Sequence, residues 1–413
     1  MTSYTLRCTD CGTEYGPRDV EYLCPACAPR SAPGLSPRGV LRVEYAPTRA
    51  PFPDPAFPDS RRWHARLPLA SPDLLPPLRV GPTPLHEAGR LADELGLPGL
   101  RLKDDTVLPT GSLKDRASSV VVAKARELGR DTITTASTGN AAVALAAMSA
   151  SVGLRTVILV PKTAPVAKRV QMLVFGATVV PVEGTYDDAY ALSLEASHAF
   201  GWYNRSTAYN PYTVDGKKTV AFEIWEQLGG RAPDAVVVPT GDGVILAGVH
   251  KGFSDLLALR LIDRLPRLYA AQAEGSAAIV RSLAVDGDDV AGHEGAKTIA
   301  DSISVGVPAA GRWAKRAIRE TGGAGLLVPD DEIVQAIGRL GRSTGLFAEP
   351  AAATAIAGVA RAARQGLVTR DETVVALITG TGLKDVAAAG RTVTMPEPIA
   401  PTLEALRVRI AAS

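Results

Sequence analysis

Lys114 stands in the run Pro109-Thr110-Gly111-Ser112-Leu113-Lys114-Asp115-Arg116, ahead of the apolar Val120-Val121-Val122. A glycine turn leading into a helix delivers this lysine onto the first helical turn. An exposed lysine stays protonated to a pKa of ~10.4. One held in an enclosed site beside helix N-terminal amides gives up its proton readily and becomes a nucleophile able to form an imine. The plainer reading of the stretch is a helix start with Ser112 as N-cap and Lys114 and Asp115 as solvated first-turn charges.

Three further segments have the form of a strand, a turn of small residues and a helix. Thr132-Ile133-Thr134-Thr135 runs into Ala136-Ser137-Thr138-Gly139-Asn140 and an alanine-rich helix from Ala141 to Ala150. Val236-Val237-Val238 feeds Pro239-Thr240-Gly241-Asp242-Gly243 and a helix opening at Val244-Ile245-Leu246-Ala247-Gly248. Val374-Val375-Ala376-Leu377-Ile378 ends in Thr379-Gly380-Thr381-Gly382-Leu383-Lys384-Asp385. Such junctions present backbone N–H groups and hydroxyls at the carboxyl edge of a parallel sheet, where anions bind. One alone is weak, because every doubly wound protein has several. A lysine turn followed by three of them in this order is specific.

From about Thr83-Pro84-Leu85 to Asp385 the chain resembles the threonine synthase branch of the fold type II pyridoxal phosphate (PLP) enzymes, a group that includes threonine and serine dehydratases. Glu349-Pro350-Ala351-Ala352-Ala353 is similar to a Glu-Pro-Ala-Ser-Ala segment common there. The resemblance implies that Lys114 carries the internal aldimine and that Asn140 bonds the cofactor's phenolic oxygen. It implies that Gly241, Asp242, Gly243, Val244 and Ile245 cradle the 5′-phosphate and that Thr379 faces the pyridine nitrogen. Ser137, Thr138 and Gly139, with Ala141 and Thr213, would lie toward the substrate; helix capping is the alternative for Ser137 and Thr138. The chemistry would be elimination or replacement through an external aldimine, with Lys114 moving the α-proton. Glycines at 241, 243 and 248 let the main chain approach a phosphate. The Asp242 carboxylate would repel one, so it is expected to turn away and cap the following helix. Thr379 is a neutral partner for the ring nitrogen and would temper the electron sink.

At the amino terminus, Cys8-Thr9-Asp10-Cys11 and Cys24-Pro25-Ala26-Cys27 are two Cys-x-x-Cys knuckles twelve residues apart, and they use all four cysteines. Four thiolates at this spacing can close tetrahedrally on zinc; two disulfides or a redox pair compete, the disulfides disfavoured because no secretory leader precedes Cys8. Arg7, Arg18 and Arg30 against Asp10, Glu14, Asp19 and Glu21 give no basic face for nucleic acid. A structural cap or dimer element is expected, in a homodimer.

The 413 residues, 46% hydrophobic with net charge +2, suit an enzyme acting on a small molecule and offer nothing to a polyanion or an anionic membrane. The longest apolar stretch, Ala141 to Met148, falls far short of the ~20 residues of a spanning helix, so a cytoplasmic place is expected. Eleven prolines between Pro47 and Pro84 exclude regular helix or central strand over most of that segment. It reads as an extended arm anchored by Phe52, Phe57 and Trp63. Beyond it, short strands are expected around residues 101–103, 132–135, 156–160, 178–182, 235–238, 268–271 and 373–378, alternating with helices. The expected organisation is an α/β chain similar to the tryptophan synthase β subunit, with two open, mainly parallel sheets carrying helices on both faces. Residues 1–30 would be a zinc ribbon, 31–84 the arm, 85–120 with 215–413 a large PLP-binding domain, and 121–214 a small mobile domain.

The substrate is where the chain departs from the family pattern. Enzymes of this branch acting on O-phosphohomoserine generally carry a threonine after the Ser-x-Gly-Asn asparagine, and a serine and an arginine around an Asn-Pro pair. Ala141, Ala208 and Thr213 stand in those places. Losing a guanidinium fork and two hydroxyls removes charge-assisted bonds worth ~1.5–3 kcal/mol each. Arg205, Lys162, Lys217 and Lys218 are the cations placed to supply another anion site, each with a solvated surface charge as its alternative. Tyr209 and Tyr212 are candidates to line a less polar pocket. Thr298-Ile299-Ala300-Asp301-Ser302 resembles a short dehydratase segment. A genuine threonine synthase, a dehydratase giving a 2-oxo acid and ammonia, and a non-catalytic scaffold are the competing readings.

Overall fold

The computed structural model describes residues 3–47, 50–162 and 166–411. Residues 1–2, 48–49, 163–165 and 412–413, which fall within the ribbon, arm, small-domain and large-domain spans expected above, lie outside them.

Two parallel sheets dominate. The larger has six strands in the order Gly325–Val328, Arg267–Ala273, Ala235–Pro239, Val374–Ile378, Leu100–Asp104, Leu85–Glu87. All neighbours pair in parallel except the edge strand Leu85–Glu87, which is antiparallel to Leu100–Asp104. The smaller sheet is wholly parallel, in the order Thr178–Val182, Arg155–Pro161, Thr132–Ala136, Tyr203–Asn204. Every strand expected from the sequence is present.

The valine run explains the layering. Val236 and Val238 join one apolar cluster and Ala235 and Val237 the other, as alternation on a pleated strand requires. Helix Val244–Ala258 covers the first face and helix Pro350–Arg364 the second. A strand buried on both sides must be apolar at every position, which is why this one lacks a polar stripe.

The N-terminal unit extends beyond the expected boundary at residue 30. Leu41–Tyr45 pairs antiparallel with Tyr4–Cys8, which also pairs with Glu14–Tyr15. The strand alternates buried Leu41 and Val43 with partly exposed Arg42 and Glu44, and only its long-range pairing separates it from the arm that follows. Among its described residues the arm has no regular helix, two short 3-10 turns, and an aromatic anchor: Phe52, Trp63 and Phe222 meet with ring centroids 5.0–5.4 Å apart. Phe57 is peripheral, against His64 at 5.9 Å. No helix among the described residues is long and apolar enough to cross a membrane.

Candidate active site

The lysine turn is stitched to the carboxyl end of the central strand Val374–Ile378. Leu113 N donates to Thr379 O at 2.9 Å, Thr381 N to Gly111 O at 3.0 Å, and Glu349 N to Gly380 O at 3.0 Å. Gly111 adopts φ +73°, which a side chain rarely tolerates. A Cβ on Gly380 would stand 2.4 Å from Glu349 Oε1, so only glycine lets the Glu349 carboxylate lie across this turn. Ser112 does not cap the helix as its type suggested: Lys114–Glu127 starts without a side-chain cap and Ser112 Oγ is buried without a partner. The turn is held instead by Asp115, which accepts from Thr110 N at 2.7 Å and Thr110 Oγ1 at 2.6 Å.

Lys114 is partly exposed and enters no ion pair among the described residues. Burial holds its amine below the ordinary lysine range; the Asp242 and Glu349 carboxylates pull the other way, and Arg205 and Lys168 add to the depression. Across from it, Asn140 opens helix Asn140–Ala150 and donates through Nδ2 to Glu349 Oε1 at 2.8 Å and toward Ser302 Oγ at 3.4 Å. Its Oδ1 is enclosed with no partner.

The Gly241–Ile245 loop joins strand Ala235–Pro239 to helix Val244–Ala258. Asp242 Oδ1 accepts from Val244 N at 2.9 Å, the capping role expected of it. Among the described residues, the amides of Gly241, Asp242, Gly243 and Ile245 have no acceptor. Added Cβ atoms on Gly241 and Gly243 would meet Ile303 Cα at 2.8 Å and Ala310 O at 2.9 Å, so those glycines let the loop nest between neighbouring segments. Gly248 serves helix packing instead, with a Cβ there falling 2.8 Å from Lys217 Cβ. Free amides at a helix start, an unpaired amine and an unpartnered amide oxygen fit a ring bearing an aldehyde and a phosphate. Lys114 would hold the ring, the loop amides its phosphate, Asn140 its edge and Thr379, 3% exposed, its far side.

Ser137, Thr138, Gly139 and Ala141 are all partly open at the turn after strand Thr132–Ala136. Ser137 Oγ accepts from Gly139 N at 3.2 Å, and no side chain caps the helix that follows. Thr213 does not face a substrate: it is fully buried, accepting from Ala208 N at 3.1 Å and donating to Asn210 O at 2.7 Å, so its hydroxyl is spent within its own turn. Tyr209 and Tyr212, candidates to line a pocket, pack on other tyrosines: Tyr209 stacks on Tyr22 at 4.4 Å and Tyr212 meets the Tyr4 hydroxyl at 3.1 Å. Lys162 is exposed, and Lys218 is buried on Asp215 at 2.8 Å and Asp255 at 2.9 Å.

Two lysines were missed. Lys168 Nζ lies 3.9 Å from where a Gly139 Cβ would be and pairs with Asp301 at 2.7 Å. Lys384 Nζ is buried without a partner, held below its ordinary range by burial. Lys384 sits in the glycine-rich turn Thr379 to Asp385 and was legible; nothing local marks Lys168.

The amino-terminal cysteines offer four Sγ atoms within 4.8 Å of one another, none in a disulfide. The 3.8 Å between Cys11 and Cys24 Sγ matches the edge of a tetrahedron with zinc–sulfur bonds of about 2.3 Å.

A family model described as pyridoxal-phosphate dependent enzyme matches residues 77–380. A threonine synthase of Methanosarcina acetivorans is 36% identical over 387 residues, covering 92% of each chain, and one of Methanocaldococcus jannaschii is 34% identical over 392 residues, covering 93% of this chain and 94% of that one. Among solved structures, threonine deaminase isoform 2 of Solanum lycopersicum is similar with a TM-score of 0.66 and 25% identity, covering 75% of this chain and 86% of that one. Diaminopropionate ammonia lyase of Escherichia coli shares the fold, with a TM-score of 0.65 at 21% identity over 76% of this chain and 87% of that one. With the lysine turn bonded to the Thr379 turn and Asn140 bonded to Glu349 beside it, the chain belongs to the threonine synthase family of fold type II pyridoxal-phosphate-dependent enzymes and is a carbon–oxygen lyase of that family.

Proposed function

We propose that this enzyme catalyses elimination or replacement on a small amino acid with threonine synthase-like chemistry, its contacts to the leaving group remodelled. The observation that carries this reading is Lys114: an amine without a carboxylate partner, depressed in proton affinity, at the meeting point of the Thr379 turn, the Gly241–Ile245 loop and the Asn140–Glu349 pair. Bound PLP supplies an electron sink that makes the substrate's α-proton removable. Lys114 takes that proton at Nζ, and its lowered basicity favours the neutral amine that does so. Ser137, Thr138 and the adjoining amides receive the substrate carboxylate, with Lys168 adding charge beside Gly139. The Asn140–Glu349 bond fixes the orientation of the amide against the ring, and Thr379 leaves the ring nitrogen with a neutral neighbour. Cys8, Cys11, Cys24 and Cys27 hold a structural zinc, and the working unit is a homodimer.

A second reading is the authentic conversion of O-phosphohomoserine to threonine and phosphate, favoured by 36% identity to a threonine synthase over 92% of the chain. Purified holoprotein incubated separately with threonine, serine, O-phosphoserine and O-phosphohomoserine decides between them. Threonine and phosphate formed from phosphohomoserine establish the second reading. Turnover of another of these substrates, without threonine formation, supports the first, and a 2-oxo acid from threonine or serine alone would mark a dehydratase. A protein that takes up no cofactor and turns over none of the four sinks the enzymatic reading.

A further inference from the structure

Arg205 and Lys217 are 1% and 2% exposed, and neither enters an ion pair among the described residues. Each has one long bond to a neutral hydroxyl: Arg205 Nε to Ser118 Oγ and Lys217 Nζ to Thr207 Oγ1, both at 3.3 Å. Arg205 Nη2 is enclosed with no partner. Buried Lys315 and Arg66 also lack an ion pair among the described residues but donate to the carbonyls of Asp289 and Ala46 at 3.1 and 2.9 Å. Lys103, Arg116 and Lys218 each rest on carboxylates at 2.6–2.9 Å. A buried unpaired charge is costly, and an arginine cannot escape the cost by shedding its proton near neutrality.

Both cations stand beside the lysine helix. Arg205 follows strand Tyr203–Asn204 at the sheet's carboxyl edge, and its Ser118 contact lies one helical turn after Lys114. Lys217 closes helix Tyr212–Lys217, which is wedged between the lysine helix and the loop helix: Cβ atoms on Gly216 and Gly248 would fall 2.4 Å from Arg116 O and 2.8 Å from Lys217 Cβ. Asp242 is the carboxylate that acts on both, Arg205 also acts on Lys217, and Lys114 opposes the charge on Lys217. Yet the Asp242 carboxylate is turned to Val244 N and pairs with neither. Asp115, the other carboxylate acting on Arg205, is spent on Thr110, so neither carboxylate pairs with the two cations.

We propose that Arg205 and Lys217 form a two-cation subsite for a phosphate monoester dianion, beside Lys114 and distinct from the positions occupied by Ala141, Ala208 and Thr213. The assignment rests on the reading of this chain as a PLP enzyme acting on an amino acid. The planar Arg205 fork takes two phosphate oxygens and the Lys217 ammonium a third. Two monoesters reach this place: an O-phosphorylated amino acid and the cofactor's own 5′-phosphate.

The test compares wild-type holoenzyme with Arg205→Met, Lys217→Met and Lys217→Gln. Inorganic phosphate, O-phosphoserine and O-phosphohomoserine are titrated against the visible band of the bound cofactor, and PLP affinity is measured by spectroscopic reconstitution. Each lost contact is expected to weaken its ligand about tenfold to a hundredfold. Weakened phosphate and phosphoamino-acid binding at constant PLP affinity places the substrate's phosphate there; weakened PLP affinity at constant phosphoamino-acid binding places the cofactor's. Variants with wild-type circular dichroism whose affinities for all of these ligands stay within about twofold of wild type overturn the subsite. Should the methionine variants not fold, Lys217→Gln, which keeps a polar contact to Thr207, decides by the same criteria. A wild-type protein that develops no cofactor band sinks the underlying enzymatic reading instead, so the two failures are told apart.

Discussion

Lys114 differs from the buried Lys103 and Lys218 in having no carboxylate within ion-pair distance. Its replacement by alanine should lower kcat by roughly 10²–10⁴-fold or more and abolish borohydride labelling of the holoprotein while leaving thermal stability close to wild type. Because burial depresses its proton affinity, cofactor capture by the apoprotein should reach its plateau at a lower pH than capture by a free lysine amine, whose pKa is ~10.4; a midpoint at or above that value would contradict the enclosed site. Lys114, Asn140 and Thr379 were legible because each sits on a turn whose chemistry is local. The Asn140–Glu349 bond was not, since it joins residues 209 positions apart. Thr213 was placed toward the substrate because it stands where the resembled family carries an arginine, whereas its hydroxyl is consumed by its own turn.

At the scale of elements, the lysine helix is anchored by a buried ion network. Arg116 reaches Asp105 at 2.7 Å and Glu223 at 2.6 Å, and Lys103 meets Glu223 at 2.7 Å. Glu223→Ala leaves two enclosed cations facing one carboxylate and should cost about 3–5 kcal/mol in chemical denaturation. Arg116 and Lys103 overcome the effect of burial and hold Glu223 at about 2. Its stabilising contribution is therefore fully present above the unfolded-state pKa of ~4.3 and is lost as pH falls from there through about 2. Acid titration of Glu223→Gln should lack that part of the wild-type loss. Gly216→Ala pushes a methyl onto Arg116 O and should destabilise by about 1–3 kcal/mol. Most of the parallel strands were legible from their short apolar or β-branched runs. Gly325–Val328 and Tyr203–Asn204 were not, because four and two residues carry too little pattern and form by pairing with neighbours already in place.

At the scale of the molecule, the amino-terminal unit is continuous with the catalytic body. Asp10 accepts from Arg312 at 2.8 Å on helix Gly311–Glu320, whose start packs on Gly243. Tyr22 OH accepts from Asn204 N at 2.9 Å, next to Arg205. Chelation of a zinc held by the four cysteines should lower the thermal midpoint and bring proteolysis within residues 1–45 before cleavage of the body; a midpoint and cleavage pattern indifferent to chelator would argue against the metal. The cysteine knuckles announced this unit, but its attachment was invisible because every contact is long-range. Tyr45 hydrogen-bonds Asp215, and above that pair stand Lys218, Lys251 and Asp255, all enclosed. Truncating the chain before residue 46 would therefore flood a charged quartet one residue from Gly216. The amino-terminal unit is the rear masonry of the catalytic chamber, and an enzyme stripped of it should forfeit turnover even though every group that touches its reactants is still present.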